Sequence, residues 1–379
     1  MRRVRVLALV GAVAQAVLGE SPVRATPWTI TGEIGTERDT NVQRVETGAD
    51  LPSKITAWVM RLGARADHKG TLGGGQLAFH LSDLTRLVAD DEVAVENVTV
   101  VAGSLRWLHR LGERPVLGGI SAAATDALPL SDAIGARTFR NLGADAVLAL
   151  RSEDEHELTL AFGVRDFTYK PAHEFDWTGP AVNARLGLLL WQAPARTRSL
   201  ELVTTLGFEN RLFDDVALAN ACPPGSPPNP NCTAATTIQR RDRYQRAGIE
   251  LTWVGRQVAA VGYQITVIDS NDFGQSLARH RITSSATAAL PGTIYGTLLA
   301  ILQIDQYLDG RLERGGVQQQ EFTSIDDENR SSLQLRLART LAGKWAIEGR
   351  AAIWRNLAGG AMELEFRREL VYLGLVYGR

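Results

Sequence analysis

Hydrophobic and polar residues alternate with a period of two along most of the chain after residue 25. In residues 157–165, leucine, phenylalanine or valine occupies every second position, with polar or small residues between them. The same alternation recurs in residues 244–254 and 261–267, and near the end in residues 333–337. Successive side chains of an extended strand point to opposite faces, so this period predicts strands with one apolar and one polar face.

The sequence contains about sixteen such segments. Their centres lie near residues 31, 59, 77, 100, 119, 144, 162, 185, 205, 248, 263, 285, 299, 335, 349 and 371. Long connections are predicted at residues 37–53, 83–92, 126–137, 166–176, 213–241, 269–279, 309–329 and 356–363. Short connections at residues 67–70, 111–114, 152–154, 193–195, 255–256, 291–292 and 342–344 alternate with them. Short turns at one end and long loops at the other are typical of an outer-membrane β-barrel.

Charged residues occur inside these otherwise apolar segments. In hydrocarbon every backbone N–H and C=O must be paired, so a sheet that crosses a membrane closes on itself, with apolar side chains outward and polar ones inward. We therefore expect the charged strand residues to line the lumen. The predicted lumen-lining residues are Glu157, Arg165, Arg185, Arg246, Glu250, Arg336, Glu348 and Arg350. The tryptophans expected in the interfacial belts are Trp28, Trp58, Trp107, Trp177, Trp191, Trp253, Trp345 and Trp354.

The pattern thus predicts an all-β protein, a transmembrane antiparallel up-and-down β-barrel of about 16 strands over residues 26–379. The alternative is a soluble β-sandwich or propeller, whose strands also alternate. Such folds do not require loops segregated by length, and no repeat of about 40 residues is visible.

The composition and the N-terminal residues indicate the cellular compartment. The 379 residues carry a formal net charge of −1, which argues against the basic surface of a nucleic-acid binder. The basic, then apolar, stretch over residues 1–25 predicts a secretory signal peptide. Its removal takes away four arginines and one glutamate and leaves a mature chain with a net charge of −4. We expect a location in the bacterial outer membrane.

Few residues suggest a catalytic or covalent role. Cys222 and Cys232 bracket a proline-rich segment, and in an oxidising compartment they predict a disulfide that closes a short loop. His173 and Asp176 in a long connection could activate water at the cell surface, although an exposed polar loop is the simpler and favoured explanation. No stretch carries a catalytic, metal-binding or cofactor-binding signature, so neither an enzyme nor a cofactor is expected.

The chain resembles bacterial outer-membrane β-barrel proteins. Its last strand, residues 372–379, is similar to the C-terminal assembly signal of that class at Gly374 and Tyr377, but it ends in Arg379 where the class has an aromatic residue. The resemblance implies that the barrel-assembly machinery recognises this strand. It also implies contacts with outer-membrane lipid and lipopolysaccharide, whereas the balanced charge predicts that no nucleic acid is bound.

A narrower resemblance is to barrels encoded with exopolysaccharide and capsule export systems. It rests on four short sequence motifs, at residues 38–42, 269–272, 328–330 and 366–369. This resemblance implies a pore for a secreted polysaccharide and a periplasmic export component as partner. A diffusion porin for small solutes is the alternative hypothesis, with residues 213–241 or 309–329 folded inward as its constriction, and a loop-borne surface hydrolase is the third.

Overall fold

The computed structural model describes residues 28–45, 53–113, 115–132, 134–135, 137–152, 155–226, 232–308, 330–356 and 366–378. They form sixteen strands: β1 Thr29–Asp39, β2 Ala57–Leu72, β3 Gly75–Val88, β4 Val98–Arg110, β5 Val116–Pro129, β6 Phe139–Arg151, β7 Glu157–Tyr169, β8 Trp177–Gln192, β9 Ser199–Asn220, β10 Thr233–Val254, β11 Gln257–Ser270, β12 Leu277–Leu290, β13 Ile294–Tyr307, β14 Ser331–Thr340, β15 Trp345–Arg355 and β16 Arg367–Tyr377. The signal peptide predicted at residues 1–25 lies outside the described residues.

Each strand pairs antiparallel with its sequence neighbours, and β1 pairs with β16, so the sheet closes into a barrel. The predicted fold is confirmed, and every predicted strand centre lies inside a strand. Two short 3₁₀ segments, Asp91–Glu96 and His173–Phe175, lie in long connections. Within the described ranges, no helix is long and apolar enough to cross a membrane.

The first short turn is displaced from its predicted place. Strand β2 continues to Leu72, so the turn predicted at residues 67–70 is wrong. The chain reverses instead at Gly73 and Gly74, whose φ angles of 58° and 78° lie in the left-handed region that glycine adopts without a steric penalty. Asp67 and Lys69 imitate a turn in sequence because they are polar, yet they are strand residues on the polar face of β2.

The long connection predicted at residues 213–241 is also wrong in extent. Strands β9 and β10 extend through most of it, and only residues 221–232 connect them. The β10 part, residues 233–241, consists mostly of polar or small residues, and apolar residues in the β9 part are irregularly spaced, so no regular alternation marks either as strand. Cys222 and Cys232 join the two strand ends in the predicted disulfide, with 4.8 Å between their Cα atoms. The other candidate constriction, residues 309–329, lies outside the described residues.

The outer face of the barrel is apolar. In β16, Val371, Leu373 and Leu375 are 63%, 56% and 42% exposed, whereas the alternate residues Leu370 and Tyr372 are buried. Exposed apolar side chains recur on every second position of the other strands. Such a surface is stable in hydrocarbon, and a closed antiparallel barrel with this surface is the architecture of the bacterial outer membrane, where the short turns face the periplasm. The protein is an outer-membrane β-barrel.

Two tryptophans depart from the predicted interfacial belts. Trp28, Trp58 and Trp345 are about half exposed on the outer face, as expected. Trp177 and Trp354 are instead buried, with 7% and 3% exposure. Their register places them on the inner face, where arginine side chains cover their rings. The expectation failed because proximity to a strand end does not specify which face a residue occupies.

Buried charges connect the strands on either side of the β1–β16 seam. Arg86 of β3 donates to Glu37 and Asp39 of β1 at 2.9 Å, spanning the intervening strand β2. Arg61 of β2 donates to Glu37 at 3.1 Å, and Arg368 of β16 donates to Asp39 at 2.7 Å. All five side chains are fully buried. Contacts that reach over a neighbouring strand identify the face that carries them as the inner, concave one.

This cluster, which we call the seam network (Glu37, Asp39, Arg61, Arg86 and Arg368), has strong energetic consequences. Desolvating each charge is costly, and only multiple hydrogen bonds offset the cost. Asp39 receives bonds from both Arg86 and Arg368, and it also accepts the backbone N–H of Asn41 at 3.0 Å. Asp39 is therefore the residue through which β3, β16 and the loop after β1 are held together.

We predict that Asp39→Asn lowers the free energy of unfolding by roughly 3 kcal/mol, because it leaves two buried arginines without their shared carboxylate. Urea titration of the barrel in lipid vesicles measures this change. Asp67→Asn is the matched control, since Asp67 also pairs with an arginine on the inner face but is 26% exposed; its effect should stay below about 1 kcal/mol. Equal effects of the two substitutions would refute a special role for the seam network.

Candidate functional site

The inner face of the barrel is the candidate functional surface. All eight charged residues predicted to line the lumen share its register with the seam network, from Glu157 in β7 to Arg350 in β15. Arg336, Glu348 and Arg350 form one cluster, in which Arg350 donates to Glu348 at 3.1 Å. Arg350 also lies 4.0 Å from Glu33 of β1. The structure therefore joins these three predicted residues to the seam.

The remaining five predicted residues are spread over β7, β8 and β10. Glu157 pairs with Arg151 at 2.8 Å, Arg165 with Asp145 at 2.8 Å, and Arg246 with Glu209 at 3.8 Å. Glu250 accepts a hydrogen bond from the Thr252 hydroxyl at 3.4 Å. Most of these charged side chains have a partner either on a neighbouring strand or two positions away on the same strand. The paired side chains therefore lie along the wall of the barrel.

Cations outnumber carboxylates on the inner face of the described strands. The cations are Arg61, Arg65, Lys69, Arg86, Arg106, Arg110, Arg151, Arg165, Arg185, Arg211, Arg240, Arg246, Arg279, Arg281, Arg336, Arg350 and Arg368. The carboxylates are Glu33, Glu37, Asp39, Asp67, Asp145, Glu157, Glu201, Glu209, Asp242, Glu250, Asp305 and Glu348. A wall with this excess attracts anions.

The end of the barrel that carries the long loops is narrowed by loop residues. Val42 and Val93, from the first two long loops, are fully buried in one apolar cluster with strand residues of β2 and β3. Phe175 of the loop before β8 packs edge-on against Tyr169, and Phe366 packs in a separate cluster beside β16. Since these are separate clusters, the described loop residues thicken the wall at several places around the mouth.

A stacked row of side chains crosses five strands near this mouth. Phe139 stacks on Phe167 with 5.9 Å between ring centroids, and Phe167 stacks on Trp177 at 5.8 Å. The Arg211 guanidinium lies 4.3 Å from the Trp177 ring and 3.6 Å from the Tyr244 ring. This row could not be predicted from the sequence, because its members are distant in the chain and only the register aligns them. The row connects β6 to β10 on the inner face.

The four short motifs that resemble those of export barrels lie where long loops join the strands. The Asn41 side chain holds the first loop, since it donates to the Val45 carbonyl at 2.8 Å and accepts from the Val45 N–H at 3.1 Å. Thr40 and Glu369 exchange two hydrogen bonds, of 3.0 and 2.8 Å. The motifs at residues 38–42 and 366–369 therefore contact each other at the seam.

The two other motifs also hold loops in place. Asp272 accepts the Leu218 N–H at 2.6 Å and pairs with Arg240 at 3.3 Å, which docks the loop before β12 onto the β9–β10 extension. Arg330 lies 3.9 Å from the Phe366 ring, whereas residues 328–329 lie outside the described residues. These residues fix loop geometry, so their roles are accounted for without a bound substrate.

The candidate surface chemistry and the assembly signal can be located as well. His173 contacts Asp176 at 2.8 Å, but Asp176 also accepts the Tyr169 N–H at 2.6 Å and so closes the loop before β8. Gly374 faces the interior between Gly35 and Glu348, and Tyr377 lies on the outer face against Trp345. Recognition of Gly374 and Tyr377 by an assembly machinery stays a prediction.

No protein-family model matches the chain, and no curated protein matches it in sequence. Among solved structures, it is similar to a loop-deletion mutant of OmpT, an outer membrane protein of Vibrio cholerae, with 11% identity over 93% of this chain and 98% of that one and a TM-score of 0.40. A bacterial polysaccharide outer membrane secretin is 7% identical over 92% and 98%, with a TM-score of 0.43. The outer membrane protein OpdK of Pseudomonas aeruginosa is 9% identical over 93% and 98%, with a TM-score of 0.41.

Proposed function

We propose that this barrel is a passive conduit for hydrophilic solutes across the outer membrane. The observation that carries the proposal is a polar inner face whose side chains stay partly exposed below the mouth, among them Arg106, Glu157, Arg185 and Arg336. Sixteen strands enclose a lumen wide enough for water and solute. The eight charged residues predicted from sequence would line this pathway, and the loop residues packed at the mouth would narrow its outer end.

The solute we propose is a secreted polysaccharide. Hydroxyl, amide and paired charged groups along the wall suit a hydrated sugar chain, which exchanges hydrogen bonds with water for similar bonds with protein. The mixed charges are mostly paired, so most of the wall would attract a passing chain only weakly. Energy for export and a periplasmic component would come from separate machinery. Diffusion of small solutes is the second candidate, favoured by the narrowed mouth.

Purified protein in planar bilayers should conduct ions, because water fills a polar lumen of this width. Deletion of the gene should abolish polysaccharide at the cell surface while its synthesis continues. Current traces and surface-polysaccharide staining measure the two effects. Conductance with normal surface polysaccharide would exclude export and favour small-solute diffusion, whereas absence of conductance would contradict an open conduit.

We also predict that Arg185→Glu and Arg336→Glu shift ion selectivity toward cations, by roughly twofold or more in the permeability ratio, because each reverses a charge on an anion-attracting wall. Reversal potentials in a salt gradient measure the ratio. Arg339→Glu is the matched control, since Arg339 lies on the outer face between Leu337 and Leu341 and should leave selectivity unchanged. An unchanged ratio in both inner-face variants would show that these side chains do not line the pathway.

A further inference from the structure

A recess in the inner wall is formed by small side chains on three adjacent strands. Ser104 of β4, Ala123 of β5 and Gly143 of β6 lie side by side in the register and all face inward. With so little side-chain volume in this row, the wall is hollowed into a pocket of about 340 Å³. This lies within the range of roughly 300–1,000 Å³ found for ligand pockets.

Polar groups surround the recess. In the next row of the register, Arg106, Ser121 and Asp145 lie side by side on the same three strands. Arg165 borders the opposite edge, and Asn141 contributes an amide. The pocket therefore offers hydroxyl, amide, guanidinium and carboxylate groups within one sugar-sized space, and its lining comes from strands rather than loops.

Glycine keeps two of these side chains flat against the wall. A Cβ at Gly143 would lie 3.1 Å from Cδ of Arg165, and a Cβ at Gly163 would clash with the Ala144 carbonyl oxygen and with Oδ1 of Asp145. Each side chain thus lies over a glycine of the neighbouring strand, where the two form an ion pair at 2.8 Å. Ser121 donates to the other Asp145 oxygen at 3.2 Å. Because Arg165 lies over Gly143, the open part of the recess lies over Ser104 and Ala123, which are both exposed.

The charge balance indicates the ligand class. The charge of Arg165 is balanced by Asp145, whereas Arg106 makes no ion pair within 4.0 Å to any described residue, although the charge of Glu157 reaches it. A ligand that placed a carboxylate against Arg106 and hydroxyl groups against Ser121 and Asn141 would satisfy the recess. We propose that the recess binds one carboxylate-bearing sugar residue of a polysaccharide. This inference rests on the proposed conduit and names its substrate class.

Calorimetric titration of the folded barrel in detergent tests the proposal, with oligogalacturonate as the probe and a neutral glucose oligomer of equal length as comparison. Wild type should bind oligogalacturonate more tightly than the neutral oligomer or acetate. Arg106→Gln should weaken binding by roughly tenfold to a hundredfold, because it removes a charged hydrogen bond. Arg185→Gln is the matched control, since it removes an inner-face cation outside the recess, and it should change affinity less than about threefold.

A second pair of variants tests the recess independently of charge. Ala123→Phe fills it from an exposed position and should abolish binding, whereas Ser285→Phe adds the same ring to the inner face of β12 and should not. Equal binding of the neutral oligomer, equal losses from Arg106→Gln and Arg185→Gln, or full binding in Ala123→Phe would overturn the proposal. Bilayer conductance is a separate readout: a barrel that conducts but does not bind refutes the recess alone, and one that binds but does not conduct refutes the conduit alone.

Discussion

The requirement that every backbone N–H and C=O be paired inside hydrocarbon governs this molecule. A sheet with free edges would leave a row of unpaired groups on each edge strand, at a cost of several kcal/mol per group. Pairing β1 with β16 removes both edges. Once the sheet is closed, each strand has one face toward lipid and one toward the interior, and the period of two in the sequence becomes a division between an apolar exterior and a polar interior. The pathway, the recess and the loop roots all depend on this division.

Closure also explains why a cluster of buried charges lies at the seam. The β1–β16 pair joins residues far apart in the chain, so it forms with the largest loss of chain entropy. The seam network lies here, and Asp39 binds arginines from both sides of the junction. A shifted register, like the loss of a single partner, would leave a buried charge unpaired. The cluster therefore favours one register over its alternatives. The loop roots at Asn41 and Glu369 extend the same network to the mouth, so closure of the wall and placement of the loops are physically linked.

Much of the architecture could be predicted from the sequence, because alternation reports directly on the two environments of each strand. Prediction failed where that signal is absent. Asp67 and Lys69 are polar like turn residues although they lie inside β2, and the β9–β10 extensions lack a regular alternation of apolar and polar residues. Trp177 and Trp354 lie near strand ends like the belt tryptophans, but a position near a strand end does not specify which face the side chain occupies. Alternation places the eight charged residues on the inner face, and their role in lining a pathway stays a prediction. The seam network and the small row Ser104, Ala123 and Gly143 were missed, since only the register aligns them across strands. Acidic residues at every second position from Glu33 to Asp39, interrupted only by Gly35, were the available signal for the seam.

The central claim is that alternate residues of each strand face lipid and a water-filled interior. Single cysteines placed at Thr159, Leu160, Ala161 and Phe162 of β7, in a chain whose Cys222 and Cys232 are replaced by serine, test it most directly. With the barrel in lipid vesicles, a charged, water-soluble maleimide should modify Thr159→Cys and Ala161→Cys and leave Leu160→Cys and Phe162→Cys unmodified. Uniform modification, or modification of the second pair instead of the first, would contradict the account.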